Sequence, residues 1–172
     1  MTDNAPVIYL GSFSKTLFPA LRIGFMVLPA PLVSRLRPAL HQLLRGGNRL
    51  EQKALTHFIL KGDYRRHLGK MRRLYRQRQA LLRTELQHAA GKPIPLWGGD
   101  SGMHLVLPLD PHRDDVAVTR KLYQTGFAPT ALSTFYLTEQ MQQGLVIGYG
   151  NSSDTQIIAA TRHLSRLLGW PG

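Results

Sequence analysis

Two short apolar runs, Val7-Ile8-Tyr9-Leu10 and Ile23-Gly24-Phe25-Met26-Val27-Leu28, constrain this chain more than any other feature. Each reads as a buried strand. The first runs into the polar, turn-like stretch Gly11-Ser12-Phe13-Ser14-Lys15-Thr16, and Pro29 stops the second. Strands buried on both faces need cover on both, which favours an α/β sheet over an antiparallel sandwich.

Helices follow. Pro31 to Leu44 carries Leu32, Leu36, Leu40 and Leu43 on one stripe, with Gly46-Gly47 to end it and Asn48 to cap a second helix running to about Leu60. Asp63 opens a long helix to about Ala90, with Tyr64, Leu68, Met71, Tyr75, Leu82 and Leu86 at three- or four-residue steps. At ~1.5 Å per residue it spans roughly 40 Å, enough to bridge two lobes. Gly91-Lys92-Pro93-Ile94-Pro95 is the strongest internal boundary. Beyond it, short elements alternate: a strand at 103–109, a helix at 113–125 with Asp114 and Asp115 in its first turn, and a strand at 145–149. A last helix to about Leu168 opens on Ser153-Asp154-Thr155-Gln156, which fits a capping box.

The chain has 172 residues, 43% of them hydrophobic and 19% charged, which suits a packed globular fold rather than a disordered one. It has no cysteine, excluding disulfides, thiolate catalysis and Cys-ligated metal centres. The histidines show no metal-ligand spacing, so no metal site is expected. No apolar run reaches the ~18 residues of a membrane span. The first residues lack a basic start and apolar stretch, so the expected location is the cytoplasm. Lys and Arg total 22 against 10 Asp and Glu, a net charge of +12 that suits an anionic partner.

The chemistry is concentrated between Gly11 and Phe25. A lysine at the end of a buried strand is costly as an ammonium. Partly desolvated and beside a cation, its amine loses basicity and becomes nucleophilic toward aldehydes. Lys15 is that lysine and Arg22 the candidate cation, whose fork also suits a phosphate, as does the Ser12 hydroxyl. Together they ask for an aldehyde that carries a phosphate, which describes pyridoxal phosphate held by a lysine Schiff base. Taken singly, Lys15 also reads as a solvated lysine in a turn and Arg22 as an ordinary surface ion-pair residue, and spacing alone leaves both readings open.

Ser-Phe-Ser-Lys-Thr-Leu-Phe-Pro-Ala-Leu-Arg-Ile-Gly-Phe, residues 12–25, resembles the lysine segment of fold-type I aminotransferases. It is most similar to the aminotransferase-like domain of the MocR/GabR group of GntR-type bacterial transcription regulators. The likeness continues in order through Leu50–Leu55, Arg66–Tyr75, Ser101–Leu105, Leu132–Tyr136 and Gly144–Tyr149, essentially the whole chain. The resemblance implies that Lys15 forms the Schiff base and shuttles the proton in transamination, and that Ser12 and Arg22 bind the cofactor phosphate. It implies that residues 1–91 are the C-terminal part of a cofactor-binding large domain with a long interdomain helix, and 92–172 the small C-terminal α/β domain. It also implies a homodimer, an amine or amino acid as small-molecule ligand, and Ser133 and Tyr136 on the substrate side.

Two departures qualify this. Lys15 stands near the start of the chain, so the family's ring-stacking and pyridine-pairing residues, and the regulators' DNA-binding winged helix, are expected to lie outside it. The chain is then the C-terminal half of such a domain, awaiting its N-terminal half and inactive alone. Second, the arginine that clamps the substrate carboxylate in the family aligns with Val146, and a valine makes no ion pair. That favours a cofactor- or amine-sensing regulator over an amino-acid aminotransferase that is part of a longer or split protein. The basic run Arg65, Arg66, Lys70, Arg72, Arg73, Arg76, Arg78 and Arg83 supports a third reading, a basic nucleic-acid or protein interaction module without cofactor. The solvated face of an amphipathic helix explains the same run.

Overall fold

The fold was obtained as a computed structural model, which describes residues 7–45, 47–137 and 142–171. It divides into two units, Met1–Lys70 and Met71–Gly172. A continuous helix, α3 (Asp63–Ala90), begins in the first and ends in the second.

In the first unit, β1 (Tyr9–Ser12) and β2 (Gly24–Val27) pair antiparallel, with Tyr9 opposite Val27 and Ser12 opposite Gly24. Among the described residues they pair only with each other. β2 lies within its apolar run, whereas β1 starts inside the first run and continues through Gly11 and Ser12, which were expected to be turn; neither strand is buried, with Leu10 70% exposed and Val27 56%. A two-stranded ribbon has two faces to cover, and no residue of either strand is buried. An apolar run records a demand for burial, which distant residues must meet.

Helices α1 (Ala30–Leu44) and α2 (Arg49–Leu60) complete this unit. The α1 leucine stripe is half-buried at Leu32, Leu36 and Leu40 and exposed at Leu43. Gly46, expected to end α1, lies outside the described residues; Arg45 closes the helix in the left-handed conformation. Asn48 occupies the α2 N-cap position without a side-chain cap bond. Of the unit's described hydrophobic residues, Leu55 alone is buried. Its cohesion comes from a run of ring contacts, Tyr9–Phe25–Phe13–Tyr64–Phe58–His67, with centroids 5.7–6.5 Å apart.

The second unit has a packed core. Strands β3 (His104–Pro108), β4 (Thr130–Ala131) and β5 (Gly144–Gly148) form an antiparallel sheet in the order β3-β5-β4. Leu105 and Leu107 of β3 and Leu145 of β5 alternate onto one face. They pack with Leu82 and Leu86 of α3, Val118 and Leu122 of α4 (Asp115–Tyr123), and Ile157 and Leu164 of α5 (Asp154–Leu168). Each fully buried Leu of this set contributes roughly 1.5–3 kcal/mol of transfer free energy.

The helix ends follow their sequence signals. Asp114 caps α4 by accepting from the Ala117 N–H at 3.0 Å. The expected capping box opens α5: Ser153 Oγ accepts from the Gln156 N–H, and Gln156 Oε1 accepts from the Ser153 N–H. Gly169, at φ 70°, closes it.

Candidate functional site

The segment joining β1 to β2 is a built turn. The Phe13 N–H donates to the Ile23 carbonyl at 3.0 Å and carries the ladder one step past β1. Ser12 Oγ then accepts from the Ser14 N–H at 3.1 Å and donates to Ser14 Oγ at 3.0 Å, bending the chain sharply. The Leu17 N–H closes the bend onto the Phe13 carbonyl at 2.8 Å. A 3-10 turn at Pro19–Leu21 follows, with the Arg22 N–H donating to the Pro19 carbonyl. Arg22 sits at φ 51°, in the left-handed region. For a residue with a Cβ this costs on the order of 1–3 kcal/mol, and such strain concentrates at functional sites.

Two glycines let the strands approach. A Cβ on Gly11 would lie 2.3 Å from the Phe25 ring, which covers the backbone there, and a Cβ on Gly24 would meet the Gly11 carbonyl oxygen at 2.9 Å. Ser12 and Gly24 are a cross-strand pair, so the ribbon face carrying the Ser12 side chain has no side chain opposite it.

Lys15, Ser12 and Arg22 thus belong to one short turn and its immediate strand ends. All three are exposed. Among the described residues neither Lys15 nor Arg22 forms an ion pair. The expected desolvation of the Lys15 amine is not supplied by the described residues, because the ribbon that carries it is itself uncovered. The donor set nevertheless fits a phosphate-bearing aldehyde: one unpaired primary amine, two hydroxyls 3.0 Å apart and one unpaired guanidinium.

Ser133 and Tyr136 belong to the second unit, at a 3-10 turn, Leu132–Phe135, that follows β4. Ser133 is 8% exposed and its hydroxyl donates to Asp115 Oδ1 at 2.6 Å. Tyr136 is half-buried and its hydroxyl donates to Gln142 Oε1 at 3.1 Å. Asp115 itself is fully buried. It also accepts from the Ser133 and Gly144 N–H groups, both at 2.9 Å. Sequence reasoning put it in a helix first turn and missed this role, since its partners lie 18 and 29 positions away.

Val146 pairs across β5 with Val106 and Thr130. It lines a cavity of about 290 Å³ with His104, Thr130, Asn151 and Gln156. The arginine run is not uniformly free: Arg78 donates to the Gly150 carbonyl at 2.7 Å, Arg83 to that of Gly98 at 3.2 Å, and Arg66 pairs with Asp63. Arg65, Arg72, Arg73 and Arg76 are exposed. Among the described residues no three His, Asp or Glu side chains group as metal ligands, and no helix is long and apolar enough to cross a membrane.

Mixed α/β units in this order, with a lysine turn between two strands, define part of a fold-type I aminotransferase fold. Residues 1–160 match the family model for aminotransferase class I and II, and the chain belongs to that family. It is 30% identical over 157 residues to the uncharacterized HTH-type transcriptional regulator YhdI of Bacillus subtilis, covering 91% of this chain and 34% of that protein. It is 34% identical over 149 residues to the probable rhizopine catabolism regulatory protein MocR of Rhizobium meliloti, covering 87% and 30%. Among solved structures it is similar to LysN, an α-aminoadipate aminotransferase from Thermus thermophilus complexed with N-(5'-phosphopyridoxyl)-L-leucine. That match has a TM-score of 0.81 at 27% identity, over 95% of this chain and 42% of the other. The resemblance to MocR-type regulators is thereby borne out. The chain spans about a third of the length of the curated relatives it matches.

Proposed function

We propose that this chain carries the lysine and phosphate-binding part of a pyridoxal phosphate site in a MocR-type, cofactor-responsive transcription regulator. The observation that carries this reading is the turn after β1, where one amine and one strained arginine, both without an ion pair among the described residues, share a single short segment with two adjacent hydroxyls. Pyridoxal phosphate supplies an aldehyde that condenses with an amine, and a ring that withdraws electrons from the carbon attached to it. Lys15 would offer the amine that holds the cofactor, and the same amine would be the base that moves a proton on a bound amine ligand. The Ser12 and Ser14 hydroxyls and the Arg22 guanidinium bind the phosphate, and the bend at Ser12–Leu17 orients Lys15 relative to them.

Residues 1–91 serve as the C-terminal part of the cofactor-binding domain and 92–172 as the small C-terminal domain. The site is completed in the cytoplasm by an N-terminal half or a second copy. A valine at 146, where the resemblance aligns a carboxylate-clamping arginine, favours sensing of the cofactor or of an amine over transamination of amino acids. DNA contact belongs to a winged helix outside these residues.

The test is titration of the purified chain with pyridoxal phosphate, borohydride reduction and mass mapping. A pyridoxyl group at Lys15 that saturates at micromolar cofactor and is lost in Lys15→Ala is the expected result. Labelling scattered over surface lysines refutes the reading. Nucleic-acid binding that falls steeply with salt and depends on Arg72, Arg73 and Arg76 would favour the basic-module reading instead.

A further inference from the structure

Lys15 is exposed, yet the partly buried turn that bears it is tied to α3 by two hydrogen bonds that span 48 and 51 positions of sequence. Both converge on Thr16, the residue after the lysine. The Tyr64 hydroxyl donates to Thr16 Oγ1 at 3.0 Å, and Thr16 Oγ1 in turn reaches the Phe13 carbonyl at 3.4 Å. His67 Nε2 lies 3.0 Å from the Thr16 carbonyl oxygen. A carbonyl only accepts, so the imidazole carries its proton on Nε2. Tyr64 and His67 are three apart on α3 and therefore share a face. Phe58 of α2 packs against both rings, at 6.4 and 6.5 Å, and Phe13 meets Tyr64 edge-on at 5.7 Å.

Thr16 is thus held at its side chain and at its carbonyl at once, and the Leu17 N–H bond to Phe13 closes the bend beside it. A surface turn with neither tie samples many backbone conformations, and a ligand that needs one of them must overcome the lost chain entropy. Here two partly buried donors on a helix fix that geometry before any ligand arrives. The geometry points to Tyr64 and His67 as positioning residues for Lys15: they fix the backbone from which its amine projects, without touching the reacting atoms. This rests on the cofactor reading given above.

The test separates the clamp from the cofactor. Backbone amide exchange across residues 13–22 is measured on the cofactor-free chain for wild type, Tyr64→Phe, His67→Ala and His67→Gln, with circular dichroism to confirm that each variant folds. Exchange at the Leu17 amide is expected to rise about tenfold in Tyr64→Phe and His67→Ala, the scale of one lost net hydrogen bond. It should return toward wild type in His67→Gln, whose amide N–H can still donate. In parallel, the fraction of borohydride-trapped pyridoxyl found at Lys15, relative to all other lysines, is expected to fall in His67→Ala and recover in His67→Gln. Unchanged Leu17 exchange, or an unchanged Lys15 fraction, in a chain whose wild type labels Lys15 overturns the positioning role alone. A wild-type chain that labels no lysine preferentially overturns the cofactor reading and, with it, this role.

Discussion

Replacing Asp115 by alanine tests the polar centre of the second unit. The carboxylate is fully buried, and no cation pairs with it among the described residues. Burying an unpaired carboxylate is tolerable only when hydrogen bonds replace its hydration. Three do so: from the Ser133 hydroxyl at 2.6 Å, and from the Ser133 and Gly144 N–H groups at 2.9 Å each. Together they tie the start of α4 to the turn after β4 and to the first residue of β5. Asp115→Ala strands those donors in a buried space. Each stranded donor costs about 1–3 kcal/mol, and relief of the carboxylate's own desolvation offsets part of the sum. The net expected loss is about 3–5 kcal/mol. Ser133→Ala removes one bond and should cost about 1–2 kcal/mol. Combined, the two changes should fall well short of additive, because the first removes the acceptor the second depends on. Urea unfolding followed by tryptophan fluorescence reads this directly, since both tryptophans of the chain, Trp97 and Trp170, lie in the second unit. A loss under about 1 kcal/mol in Asp115→Ala, or strict additivity with Ser133→Ala, would refute the assignment of the carboxylate as the acceptor that joins these elements.

Two further perturbations probe the remaining packing. Tyr149 is 3% exposed and its hydroxyl donates to the Gly102 carbonyl at 3.0 Å, and burial raises its pKa above the ordinary 10.0. The folded chain therefore holds this proton more tightly than the unfolded chain: the contribution is intact below about pH 10 and is lost as pH rises through the folded value. Tyr149→Phe should cost about 1 kcal/mol at neutral pH but flatten the alkaline fall of the urea midpoint, and an equally steep fall would argue against it. Gly11→Ala places a Cβ 2.3 Å from the Phe25 ring, so the ring must leave its place against Tyr9 and Phe13. A cost of about 1–3 kcal/mol with loss of near-ultraviolet aromatic dichroism is expected, and an unaltered spectrum would contradict the close approach.

What the sequence disclosed was local. Ser153 and Gln156 are three apart, so their reciprocal bonds could be read directly, and α5 begins where they place it. Short apolar runs located β3 and β5, and helical spacing carried α3 to Ala90. The order β3-β5-β4 was not legible, because it depends on which strands find each other across the helices between them. Ser133 shows the same limit from the side of function. The resemblance placed Ser133 on the substrate side, but the bond its hydroxyl makes to an acceptor 18 positions away could not be read from its neighbours in sequence. Asp115 was read as a first-turn acid because helix dipoles favour acids there, and that rule holds equally well for a buried carboxylate.

The candidate site divides along the same line. A lysine turn flanked in sequence by Ser12 and Arg22 is a local pattern, and the chain forms it with local bonds from Phe13 to Ile23. The property that converts a lysine into a reagent is not local. An amine is activated by the walls around it, and no residue of the ribbon that leads to Lys15 is buried. Thr16, by contrast, is already gripped by Tyr64 and His67. On the positioning role proposed above, direction and activation would be supplied separately: Tyr64 and His67 hold the backbone beside Lys15, while desolvation of its amine would depend on whatever covers β1 and β2. On the proposed cofactor reading, covering the ribbon is the step that would desolvate the Lys15 amine. The exposed side chains of Tyr9, Leu10, Phe25 and Val27 are the surface that step would bury.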